Sequence, residues 1–222
     1  MKLKFLPFLL LFISINNFAQ LPEGFVYVQQ EIPSIKTELR YFSENNFVGK
    51  PIKGYNANVI ILTKEATLAL KKVQHQLLKK NLSLKIFDAY RPQQAVDYFA
   101  IWATDLNDTL KKQEYYPNIH KSNLFKLSYI ARKSGHSRGS TLDLTIVDLK
   151  TNKDLDMGSP YDFFGEQSGV NYPHLTELQL NNRKLLQQIM IKNGFRNYPK
   201  EWWHFTLNKE PFKTTYFNFE VE

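Results

Sequence analysis

The stretch Ser134-Gly135-His136-Ser137-Arg138-Gly139-Ser140-Thr141-Leu142-Asp143-Leu144-Thr145-Ile146-Val147 joins a turn to a strand. From residue 140 to 147 the pattern has a period of two: Leu142, Leu144 and Ile146 point one way, and Asp143, Thr145 and Val147 the other. If the leucine face packs on the core, Asp143 faces the opposite side, where a cleft can lie. His136 stands seven residues earlier, and Ser137-Arg138-Gly139 permits a turn that brings both side chains to one ion. By itself the spacing also suits a loop histidine and an unrelated strand-end acid.

Flanking segments set the fold class. Asn58 to Leu62 reads as a short strand and Lys64 to Lys80 as a helix, with Ala66, Leu70, Val73 and Leu77 on one face. Leu82, Leu84, Ile86 and Phe87 suggest a strand delivering Asp88-Ala89-Tyr90-Arg91 at its end. Pro92 then opens a helix at its first turn, running through Phe99 and Trp102. Thr176-Glu177-Leu178-Gln179 has the form of a capping box, and its helix runs through Leu185 and Ile189 to end at Gly194. Trp202 to Leu207 closes as a strand. Residues 20 to 53 read as irregular, and 107 to 133 as polar and undecided. Helices on a small, mostly antiparallel sheet give an α+β class. No internal repeat or low-complexity linker divides residues 20 to 222, which read as a single domain.

A second segment, Glu201-Trp202-Trp203-His204, adds another imidazole and another carboxylate. His136, Asp143 and His204 are candidate ligands for one metal per chain, with a fourth position open as catalysis requires. With no cysteine in the chain, a thiolate site is excluded; two histidines and one aspartate suit Zn(2+). In a regular strand Glu201 and His204 would face opposite ways, so extended geometry must break between them, around Lys200 to Trp202. Glu201 is then the candidate general base and acid. Arg91, permanently charged and stiffened by Pro92, is the candidate oxyanion donor, against the alternative of an ion pair with Asp88 or Asp97. His75, His120 and His174 have no acid in register and read as structural or surface residues.

The first residues stand apart. Lys2 and Lys4 precede an apolar run from Phe5 to Ile15, and Ala19 offers a small residue for cleavage: a signal peptide over residues 1–19. Its removal takes two lysines and no acids, lowering the net charge from +8 to +6. No cysteine follows the apolar run to carry a lipid, so the expectation is an exported protein, periplasmic or secreted, without a stable membrane anchor. Scattered lysines without interleaved aromatics do not make a nucleic-acid surface. Without disulfides, the core alone must supply stability.

Five segments in order carry a resemblance: LRYFSENNFVGKPIKGY (39–55), DAYRPQQAV (88–96), SGHSRGSTLDLTI (134–146), MGSPYDFF (157–164) and EWWHF (201–205). The chain resembles the VanX-like D-alanyl-D-alanine dipeptidases, which share a fold with zinc D,D-carboxypeptidases and the Hedgehog domain. The resemblance implies zinc on His136, Asp143 and His204, Glu201 as base and Arg91 beside the tetrahedral intermediate. It further implies a small dipeptide as substrate, its ammonium on Asp162 with Tyr41 lining that end, and Ser134 donating to the substrate's carboxylate or carbonyl. Departures occur at Gly135, at Thr141-Leu142 and at Gly169, none of which removes a ligand or the base. The rival readings are a D,D- or L,D-carboxypeptidase on longer wall peptides and a non-catalytic zinc-stabilised binding module.

Overall fold

A computed structural model describes residues 21–222. The expected signal peptide lies outside these residues. In chain order the elements are β1 (Phe25–Tyr27), α1 (Val28–Glu31), β2 (Lys36–Thr37), β3 (Ile61–Thr63), α2 (Lys64–Leu78), β4 (Leu82–Asp88) and α3 (Gln93–Thr104). They continue as α4 (Lys112–Tyr115), β5 (Thr141–Asp148), β6 (Lys153–Asp154), α5 (Glu177–Lys192), β7 (Phe195–Asn197) and β8 (His204–Leu207). The class is α+β. The main sheet has the order β2-β4-β5-β8-β7, with β6 folding back onto the end of β5; β1 and β3 form a separate antiparallel pair. Among the named strands of the described residues, the β2–β4 pairing alone is parallel.

Local chemistry explains the long elements. Thr63 caps α2 by accepting from Ala66 N, and Ala66, Leu70, Val73 and Leu77 on one face are buried. In α5 the capping box is complete: Thr176 accepts from Gln179 N while Gln179 Oε1 accepts from Thr176 N. Gly194, at φ +95°, ends that helix in the left-handed region that glycine tolerates best. α2 packs on β4, and α5 on β7.

Several boundaries differ from expectation. The strand expected over 58–62 begins at Ile61, opposite Tyr27, because the partner chain passes into α1 at Val28 and leaves residues 58–60 without a strand to pair with. Pro92 is the cap before α3 rather than its first helical residue; its extended ψ of 148° keeps it outside. Trp202 and Trp203 belong to a turn, so the last strand starts only at His204. Residues 20 to 53 hold β1, α1 and β2, each two to four residues long and too short for a periodic signal.

β5 lies at the centre of the sheet, and both of its faces are buried. Leu142, Leu144 and Ile146 are in the hydrophobic core. On the other face Asp143 pairs across to Asp88 on β4 and to His204 on β8. The β4 partner is set by an irregularity: register shifts between Ile86 and Asp88, so Asp88 rather than Phe87 comes opposite Asp143. Such a bulge re-aims one side chain and places three polar groups in a row across the strands.

Candidate metal centre and catalytic cleft

His136 reaches this row from the short turn Gly135–Arg138. Ser134 caps the turn by accepting from His136 N, and Gly139 closes it at φ +78°. A side chain at Gly139 would collide with the Phe25 ring, 2.2 Å from an added Cβ. One potential ligand atom from each of His136, Asp143 and His204 falls within 4.8 Å of the others. The two histidines use different nitrogens. His136 Nδ1 donates to the Ala89 carbonyl at 2.7 Å, which leaves the Nε2 lone pair facing His204 Nδ1 at 3.4 Å. Asp143 Oδ2 is 3.3 Å from His136 Nε2, and Oδ1 is 3.1 Å from His204 Nδ1.

The donor set fits a divalent metal ion. Asp143 Oδ1 is buried without a hydrogen-bond donor in line, although the His204 ring nitrogen is close. An anionic oxygen in that condition calls for a cation. Burial alone would push the Asp143 carboxyl up, but His136 and His204 outweigh it and hold it well below the usual range. Burial opposes a charge on His204; Asp143 and Glu201 win and push it up to about 9. Two carboxylates thus face one imidazole.

Glu201 arrives as the motif required. The chain turns between Tyr198 and His204, with Glu201 N donating to Tyr198 O, and this turn puts Glu201 Oε2 3.3 Å from His204 Nδ1. Arg91 forms the anticipated pair with Asp88, but it is half-buried in the cleft wall, on a fully buried partner, rather than on the surface. Its Nε and Nη2 lie 2.9 and 2.8 Å from Asp88 Oδ2, and Nη2 lies 3.6 Å from Asp143 Oδ2. Burial works against the Arg91 charge, but Tyr41, Asp88, Tyr55 and Asp143 around it keep its pKa above the ordinary value. Asp88 also accepts from Tyr55 at 2.6 Å. It is therefore the fixed post from which Arg91 projects.

At the buried end of the cleft, Tyr41 donates to Asp162 Oδ2 at 2.7 Å. Asp162 is a non-glycine residue at φ +60°, and burial followed by repulsion from Asp143 raises its carboxyl to about 8. The Tyr161 hydroxyl lies 3.3 Å from both Tyr41 Oη and Asp143 Oδ2, linking the two ends. The cavity of about 280 Å³ is lined by Tyr41, Arg91, Ser134, His136, Asp143, Asp162, Glu201 and His204 together. That is small beside the ~300–1,000 Å³ of pockets for drug-sized ligands, and suits a smaller solute. His75, His120 and His174 are all exposed and do not line it.

The sequence reading passed over Asp88 as a positioning group, Tyr161, and Arg183 on α5. Arg183 gives its guanidinium to the carbonyls of Met157, Gln167 and Gly169, on either side of Asp162. Adjacency to Asp162 was the only available sign for Tyr161; Arg183 carried none.

The peptidase M15 model, described as D-ala-D-ala dipeptidase, matches residues 22–222. The chain belongs to the D-Ala-D-Ala dipeptidase family. It is a metallopeptidase of that family, and three relatives called D-alanyl-D-alanine dipeptidase cover nearly all of it. The protein from Enterococcus faecalis is 41% identical over 198 residues, 89% of this chain and 98% of its own length. Those from Enterococcus faecium and Streptomyces coelicolor are 37% and 38% identical, across 90% and 89% of this chain and 98% of each relative. All five segments quoted above fall within the span matched to this dipeptidase family.

Proposed function

We propose that this family member is an exported zinc dipeptidase that hydrolyses D-alanyl-D-alanine to two D-alanines. The observation that carries the reading is a small cavity with Asp162 closing one end and the His136–Asp143–His204 trio beside Glu201. A zinc ion held by His136 Nε2, Asp143 and His204 Nδ1 would supply Lewis acidity and bring the pKa of its water to roughly 7.

The protein's own groups do the rest. Asp162, in its ionised form, holds the substrate ammonium, with Tyr41 fixing the carboxylate's orientation. Ser134 faces the opposite, carboxyl-bearing half of the dipeptide. Glu201 takes a proton from the attacking water as its oxygen bonds to the scissile carbonyl carbon. It returns that proton to the amide nitrogen as the C–N bond breaks, and the second proton of the water passes to the leaving amine, so the products are a carboxylate and an ammonium. Arg91, anchored on Asp88, faces the negative charge that develops on the carbonyl oxygen. A closed anionic end favours a free N-terminus and so a dipeptide over a longer wall peptide.

Incubating the purified protein with D-Ala-D-Ala and L-Ala-L-Ala, with and without chelator, tests this. Selective, chelator-sensitive release of D-alanine is expected; cleavage of N-acetyl-D-Ala-D-Ala at an equal rate contradicts it and favours a carboxypeptidase. Export places the enzyme among dipeptides released during wall turnover. Activity found only in the cytosol, on protein still carrying residues 1–19, contradicts that location.

A further inference from the structure

A free dipeptide carries two opposite charges, and the cleft described so far gives a counter-charge only to the positive one. Resting on the dipeptidase reading, we propose that Lys133 is the counter-ion for the substrate's terminal carboxylate and makes the enzyme select for a free acid at that end. Among the described residues, and apart from the histidines, Arg91 and Lys133 are the cationic residues in the cavity lining. Arg91 is already committed to Asp88 through two nitrogens and lies near Asp143. A second anion there would compete with both.

Lys133 is free of such commitments. Among the described residues it enters no ion pair, and its ammonium sits 5.0 Å from the Tyr216 ring. A ring face attracts a cation without using its N–H donors. Arg138 shares that ring but is neutralised by Glu210, at 2.8 Å. Lys133 is also next in sequence to Ser134, which lines the same wall. The two binding ends differ in character: Asp162 is buried, and Lys133 stands at the exposed rim. An incoming zwitterion therefore meets the flexible cation at the mouth and lodges its ammonium at the closed end.

An exposed charge pair is worth modest energy, so replacing Lys133 acts on binding by a few-fold. The test compares D-Ala-D-Ala with D-alanyl-D-alaninamide on metal-loaded enzyme, unaltered and carrying Lys133→Met or Lys133→Arg. For the acid, Lys133→Met raises KM about three- to tenfold with kcat within about twofold. KM for the amide stays put, and Lys133→Arg restores preference for the acid. The rise of KM with ionic strength also flattens in the methionine variant. Equal effects of Lys133→Met on acid and amide, or no effect on either, overturn the assignment while leaving the dipeptidase reading intact. Failure of the unaltered enzyme to release D-alanine from the dipeptide overturns both.

Discussion

Asp162 concentrates more constraint than any other single residue of the cleft. It is buried, it accepts from Tyr41, and it adopts a left-handed backbone that aspartate and asparagine tolerate far better than most side chains. Burial and the nearby Asp143 push its carboxyl up to about 8 from the ordinary 3.8, so the folded state binds the extra proton. Stability from that proton is fully present below about pH 4 and is lost as pH rises towards 8. Asp162→Asn removes the titration and keeps the backbone. In chelator-stripped protein it should melt above the unaltered chain at pH 8.5, with the gap narrowing steadily as pH falls to 5 and on towards 4; the same gap at pH 8.5 and pH 5 contradicts this. With metal loaded, the same variant should lose dipeptide turnover because the ammonium has no counter-charge. Glu201→Gln separates chemistry from ligation: turnover falls by about 10²–10⁴-fold while metal content stays constant. Elemental analysis beside a rate assay checks both. The metal and base candidates could be read because a histidine, an acid and a fixed spacing are visible in a string. Asp88 could not, since its role depends on a one-residue irregularity in β4 that aims it at Asp143.

At the scale of elements, the cleft is a row across three antiparallel strands, completed by two turns. The alternation in residues 140–147 correctly divided the leucine face from the aspartate face, and the need for a break between Glu201 and His204 followed from parity alone. Both are consequences of the two-residue period of a strand. The segment from 107 to 133 did not reveal its part, although Ser128 to Ala131 and Lys133 form a wall of the cavity. That wall is held by loop hydrogen bonds and one-turn helices, which leave no periodic pattern. Arg183 shows how a distant helix enters the site. From α5 it donates to three carbonyls of the loop bearing Asp162, and burial lowers its own pKa to about 10. Arg183→Met strands those acceptors and should cost about 3 kcal/mol or more. Denaturant melts measure the loss, and a larger rise in KM than fall in kcat marks the loosened Asp162 loop.

For the whole molecule, the C-terminal segment ties the cleft shut from behind. Phe217 N donates to Ser137 O in the His136 turn, Gln93 N donates to Phe217 O at the start of α3, and Val221 N donates to Gly54 O. Tyr90 Oη donates to Phe219 O, and the two rings stack with centroids 4.0 Å apart. One strap therefore touches the neighbours of both His136 and Arg91. Deleting residues 217–222 should lower the melting temperature and reduce kcat/KM together; unchanged kcat/KM in a folded truncation contradicts the coupling. Among the described residues no helix is long and apolar enough to cross a membrane. The α+β class was legible because the long helices and central strands carry strong periods, while the strap, an aromatic run without repeat, was not.

The central claim is that His136, Asp143 and His204 hold a single metal ion beside Glu201. Anomalous X-ray scattering collected on either side of the zinc edge, from crystals grown without added chelator, tests it most directly. The account predicts one strong peak between His136 Nε2, the Asp143 carboxylate and His204 Nδ1. A peak bound elsewhere, or zinc-loaded active protein with no peak at that point, would contradict it.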